Sequence, residues 1–289
     1  MFSALSPRPQ GYLLALAAPL CWSVGGPVIR LIEADSWDIV FWRGLPHLLL
    51  FPIVLHFLVG PRAWVAFRHA KRVAWLSSLA LSSTFVLHVV AITQTTIASA
   101  LLLQATSPIM VAMLSWLVLR ERVPGASWIA LAGASVGMLV VVGASLADGV
   151  WIGNAAALGV ALASAINVIA IRGNVTVDLR AGTVVAAAVS LVPALIFGAP
   201  LAISFGAGAA LFALGLVQIS LGLALFYAAL KRLPAVQVVL IAMIEPVVGA
   251  LWTWLAVGEN PGMGTFVGGA ILRGALAFNA LATSRSRET

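Results

Sequence analysis

An all-α polytopic membrane protein, built of ten transmembrane helices as two inverted five-helix repeats, is predicted by three observations. Hydrophobic residues fill 62% of the 289 positions and charged residues only 9%, with a mean hydropathy of +1.09, whereas soluble domains carry about 25% charge. Apolar runs of about twenty residues, enough to cross a bilayer core, recur along the whole chain. One pattern also returns: Thr106-Ser107-Pro108, followed by Trp116-Leu117 and Glu121, comes back about 138 positions later as Ile244-Glu245-Pro246, Trp254-Leu255 and Glu259.

The apolar runs cover 11–32, 37–59, 73–94, 98–119 and 125–144 in the first half, and 151–172, 181–199, 207–230, 234–257 and 263–283 in the second. We number them spans 1 to 10. Connectors are short, the longest being the basic stretch 60–72, so the chain reads as one transmembrane domain over 1–289 with repeats 11–144 and 151–283. The net charge of +7 sits in those connectors and sets orientation, so it does not point to nucleic acid. With the amino terminus cytoplasmic, Arg8, Arg62 to Arg72, Arg120, Arg122, Arg172, Arg180, Lys231, Arg232, Arg285 and Arg287 share one side. The other keeps Arg30 beside Glu33, Asp35, Asp38, Asp148 and Glu259. Both termini are therefore expected on the cytoplasmic side of a bacterial inner membrane. The repeated proline falls in span 4 and again in span 9, an odd number of spans apart, so the copies face opposite ways.

Taken in order, the spans carry few polar groups. Span 1 holds Trp22-Ser23-Val24-Gly25-Gly26-Pro27, a weak helix near its middle. Trp22 at that depth reads either as an aromatic wall or as a core tryptophan, and Ser23 lies beside it. Cys21, alone in the chain, excludes a disulfide within it. In span 2, Arg43 suits a bidentate grip on a carboxylate, a pair with Asp38, or a side chain that snorkels outward. Span 3 carries His88, one turn after Thr84, as a proton site or a hydrogen-bonded structural residue. In span 4, Pro108 removes a backbone donor and frees the carbonyl of Gln104, itself a deep polar residue. Gly133 and Gly137 in span 5, with Gly264 and Gly268 in span 10, are small faces for packing or for a weak dimer.

In span 6, Asn167 is either interhelical glue or a ligand. Span 8 holds Gln218 near Ser220 and Gly222, and Tyr227 near its inner end as gate or interface anchor. Span 9 holds Glu245, about 16 Å from the end of its helix at 1.5 Å per residue, near mid-membrane. It reads as a protonatable or counter-charge site, or as one half of an ion pair with Arg273 of span 10. Pro246 breaks span 9 as Pro108 breaks span 4, and Pro27 weakens span 1. Glu121 and Glu259, at helix ends, read as solvated or paired caps.

These residues resemble a known family. Ten spans, Phe41-Trp42-Arg43 in span 2, Phe226-Tyr227-Ala228-Ala229-Leu230 ending span 8 and the twice-carried proline block look like the EamA branch of the drug/metabolite transporter superfamily, nearest in look to bacterial aromatic amino-acid exporters. The resemblance covers nearly the whole chain and implies export of small metabolites. It departs at Thr93-Gln94-Thr95, where span 3 lacks the aromatic ending of span 8.

The expected function is a secondary transporter that exports a small metabolite, amino acids and aromatic ones first, through a midplane cavity by alternating access. Drug efflux or uncoupled exchange is the alternative, and a non-transporting scaffold or membrane enzyme the alternative of another class. No phosphate-binding lysine loop, metal-ligand motif or catalytic constellation stands in the sequence. No cofactor, no metal and no enzymatic activity are expected. The expected partners are the small-molecule substrate, the lipid bilayer and protons, with the protein a monomer or weak dimer.

Overall fold

A computed structural model describes residues 7–32, 34–69, 71–120, 150–172, 180–198, 202–230, 244–260 and 262–285, with positions 125, 128, 129, 132, 133, 135–137, 139, 140, 232, 238, 241 and 242. Helices α1 (Pro7–Ser23) and α2 (Gly25–Leu31) form span 1, and α3 (Ser36–Val59) forms span 2. A short α4 (Arg62–His69) precedes α5 (Lys71–Gln94), which is span 3. Span 4 is α6 (Ile97–Gln104) and α7 (Ser107–Val118), span 6 is α8 (Trp151–Arg172) and span 7 is α9 (Ala181–Phe197). Span 8 is α10 (Phe205–Leu214), a π-helical stretch Gly215–Leu221 and α11 (Gly222–Leu230). Span 9 ends in α12 (Glu245–Val257), and span 10 is α13 (Gly262–Arg285). No strand occurs among the described residues. Six of these helical stretches are long and apolar enough to cross a membrane, with α9 and α12 shorter apolar helices. Span 5 lies largely outside the described residues, as do Glu33, Glu121 and Asp148. The connector 60–72, read from sequence as a plain basic link, is a correction: it contains α4, whose Phe67 is buried against Ala74 and Ala181.

Polar side chains start several of the helices by occupying amide groups that have no partner within the helix. Asp35 accepts from Trp37 N at 2.8 Å, Thr96 from Ser99 N at 3.2 Å and Ser204 from Ala207 N at 3.2 Å. Span 9 ends where Gly258 turns left-handed at φ +69°, a conformation cheap only for glycine.

The halves pack as a two-fold pair. Span 1 lies on span 8 as span 6 lies on span 3, span 1 on span 9 as span 6 on span 4, and span 2 on span 8 as span 7 on span 3, while spans 2 and 7 meet each other, as do spans 4 and 9. Their directions are opposed. The start of span 4, Ile97, is bonded to Glu259 just past the end of span 9, and Asn154 at the start of span 6 lies beside Thr95 near the end of span 3. We call the end holding these contacts distal.

The sequence echo is exact in the hydrogen bonds of the two breaks. In span 4, Thr106 N bonds Leu103 O at 3.1 Å, and Ile109 N and Met110 N bond Thr106 O at 2.9 and 3.3 Å. In span 9, Ile244 N bonds Ile241 O at 3.1 Å, and Val247 N and Val248 N bond Ile244 O at 3.1 and 3.0 Å. Each proline, lacking an N–H, forces the same tight turn before the helix resumes. A third break, at Val24 between α1 and α2, lies three residues before Pro27.

Candidate functional site

Three neighbouring spans of the first half bring Arg43, His88 and Gln104 into one row. Arg43 is buried on span 2, and its Nε and Nη1 have no hydrogen-bond partner. The expected alternative of an Arg43 to Asp38 pair does not form: among the described residues the one ion pair is Arg30–Glu259. Span 8 approaches the backbone here so closely that a side chain at Gly215 would collide with the Arg43 carbonyl. His88 Nδ1 and Gln104 Oε1 are 2.9 Å apart, and the Arg43 charge is within electrostatic reach of the His88 ring. The Gln104 Nε2 is left without a partner.

A second group gathers where spans 1 and 8 cross. Trp22 and Phe226 rings are 5.3 Å apart and tilted by 48°, and Phe226 in turn meets Tyr227 at 6.3 Å. Gln218 donates from Nε2 to Trp22 O at 2.8 Å, while its Oε1 is buried and unpartnered. Ser23 is spent on its own helix, donating to Leu20 O at 2.9 Å. The unwound π stretch that carries Gln218 is of a kind frequent at functional positions.

Glu245 occupies the first turn after the span 9 break and makes no hydrogen bond or ion pair among the described residues. The pair with Arg273 is absent. The physical reason is that adjacency in sequence does not set the facing of two helices. Arg273 instead lines a lateral cavity of about 530 Å³ with Leu102, Pro246, Trp254, Asn260 and Phe266. Asn167 accepts from Ser77 Oγ at 2.6 Å, which ties span 6 to span 3 in the manner of interhelical glue. Of the small faces, Gly133 comes up against Ala275, an internal contact of spans 5 and 10, and the close approach in span 10 to Leu102 is made by Gly269.

Two constellations escaped the sequence reading. Arg30 Nε meets Glu259 Oε2 at 2.8 Å, the Glu259 Oε1 accepts from Ile97 N at 2.6 Å, and Arg30 also donates to Thr95 O. Together they tie spans 1, 3, 4 and 9 at the distal end. The individual charges were legible there; the partners, 229 positions apart in the first case, were not. The second is His47, fully buried one turn after Arg43, between Ser220 Oγ at 3.1 Å and Thr183 Oγ1 at 3.2 Å. No signal in an apolar helix separates such a histidine from a lipid-facing one.

The geometry meets independent comparisons. The model of the EamA-like transporter family matches the chain twice, over residues 9–143 and 151–281, the two repeats read from the echo. A solved structure described only as a crystal structure of a protein is similar at a TM-score of 0.67 and 20% identity, covering 96% of this chain and 99% of that one. At that identity it shows the fold alone. Among curated proteins none matches.

Proposed function

The chain belongs to the EamA-like transporter family, and from that premise we propose a secondary transporter of the bacterial inner membrane that exports small metabolites, amino acids with aromatic ones first, by alternating access. The observation that carries this reading is Glu245, a carboxyl group with no partner among the described residues, at a helix break matched by a second break in the inverted half. Ionisable groups inside a bilayer are costly and mark ion or substrate paths. In carriers built from inverted repeats, interrupted helices at matching positions surround the binding site.

Glu245 serves as counter-charge to a substrate ammonium or as the proton site, and the Trp22–Phe226 pair offers a flat apolar wall to an aromatic cargo. The lysine and arginine distribution supports cytoplasmic termini, and in that orientation the Arg30–Glu259 tie is the outward closure. One chain contains both halves of the path, so a monomer suffices.

Flux of labelled phenylalanine through purified protein in liposomes tests the reading, with and without an imposed pH gradient. Accumulation driven by the gradient is expected. No flux for any amino acid would end the amino-acid assignment, and flux indifferent to the gradient in both wild type and Glu245→Gln would end proton coupling. A second reading, efflux of apolar compounds, is favoured by the lateral cavity, and a hydrophobic cation in the same assay measures it.

A further inference from the structure

We infer that Arg43 and the Gln104 amide form a carboxylate-binding subsite, so that the path selects cargo bearing a carboxylate; this deepens the transport reading above and rests on it. Arg43 is only 4% exposed, yet among the described residues no carboxylate lies within 4 Å of it and neither Nε nor Nη1 has a partner. A guanidinium in that state is far from its best free energy, because burying a charge without a counter-charge is strongly unfavourable. Asp38, five residues earlier, does not relieve it. His88, the titratable group facing it from span 3, turns Nδ1 toward Gln104. With the Gln104 oxygen engaged there, its Nε2 is a third unpartnered buried group in the row.

All three orphans are donors. A ligand made only of acceptors answers them, and the planar fork of arginine suits a carboxylate. A phosphate dianion is a poorer fit, since Arg43 is the only basic residue in the interior of spans 2, 3 and 4, the other arginines and lysines falling at their ends or in connectors.

The second half supplies the complement. Gln218 Oε1 is a buried acceptor without a donor, and Glu245 is a carboxyl group without a cation among the described residues. Donors stand on spans 2 and 4, acceptors on spans 8 and 9, and spans 4 and 9 pack against each other. A zwitterion laid between the halves, carboxylate toward Arg43 and ammonium toward Glu245, would leave each side answered. The orphaned Asn154 Nδ2 lies apart, at the distal end beside Thr95.

The test titrates detergent-purified protein with L-phenylalanine, 3-phenylpropionate and phenethylamine and follows thermal unfolding, in parallel with phenylalanine flux in liposomes. Stabilisation by the first two is expected, and weaker stabilisation by the amine, which has only Glu245 to meet. Arg43→Met should weaken the apparent affinity for both acids at least about tenfold, the scale of a lost charge-assisted hydrogen bond. Gln104→Glu, which keeps the side-chain shape and the acceptor for His88, should weaken it comparably by turning a donor into an anion. If Arg43→Met fails to fold, Gln104→Glu decides alone. The inference is overturned if the amine stabilises as well as the acids, if none of the three stabilises, or if acid affinity survives in the folded variants. Acid binding that depends on these residues, with no phenylalanine flux, would sink the amino-acid assignment and leave the subsite standing.

Discussion

The two halves share a backbone and divide the chemistry. At the breaks of spans 4 and 9 the hydrogen bonds correspond one for one, but Ser107 stands where the other copy has Glu245. Arg43 and Gln104 in the first half present unpartnered donors, whereas Gln218 in the second presents an acceptor. Symmetry therefore belongs to the parts that bend, and asymmetry to the parts that recognise. A duplicated scaffold with identical sites would offer a cargo two equal ends. On the proposed reading this one offers two different ends, as an amphoteric molecule requires.

The largest expected effect breaks that division directly. Glu245→Gln should lower pH-driven phenylalanine flux in liposomes by at least about tenfold, whereas Ser107→Ala, its positional counterpart, should leave it within about twofold; equal effects would refute the asymmetry. The symmetric part is sharpened by restoring the missing donors. Pro108→Ala and Pro246→Ala should each straighten a break and cut flux by about three- to tenfold, without lowering the unfolding temperature, since proline in a helix interior is itself unfavourable. Unequal losses would show that the breaks are not mechanically equivalent.

Smaller effects separate scaffold from site. A methyl group at Gly153 would stand 2.6 Å from the Gln94 carbonyl carbon and 2.7 Å from Thr95 N, backbone that cannot move aside. Gly153→Ala should cost about 1–3 kcal/mol in thermal unfolding, with the carboxylate preference unchanged. Smallest is Glu259→Gln, about 1 kcal/mol for a partly exposed ion pair. Its sensitive readout is distal accessibility: a cysteine at Ser99, buried behind the tie and placed in a Cys21→Ser background, should react several-fold faster with a membrane-impermeant maleimide.

Much of this was legible before any coordinates. Apolar run lengths located the spans, the proline block located the inverted copies, and Gly25-Gly26-Pro27 marked the third break, because a missing N–H and a missing Cβ act locally. Groups whose meaning depends on facing were not legible. Arg43 read equally as clamp or as Asp38 partner until its burial without a partner was seen. Glu245 and Arg273 match in depth along the sequence, yet they form no pair, and Arg273 lines a cavity with Trp254 and Phe266. The π stretch at Gly215–Leu221 begins where span 8 closely approaches span 2, a contact that no window of span 8 encodes. His47 needed Thr183 and Ser220, on spans 7 and 8, to be recognised.

Gly258 ends span 9 in a left-handed turn that sends Glu259 back to Arg30 and Ile97, so the helix that begins at Glu245 finishes at the distal tie. The helix is therefore a lever. From Glu245 to Val257 it is about 18 Å long at 1.5 Å per residue, and swinging it by only about 10° at the break would displace its far end by about 3.1 Å. Hydrogen bonds do not stretch that far. A swing set off at one carboxyl group at the fulcrum would thus be amplified, by rigid-body geometry alone, into making or breaking the tie held by the other.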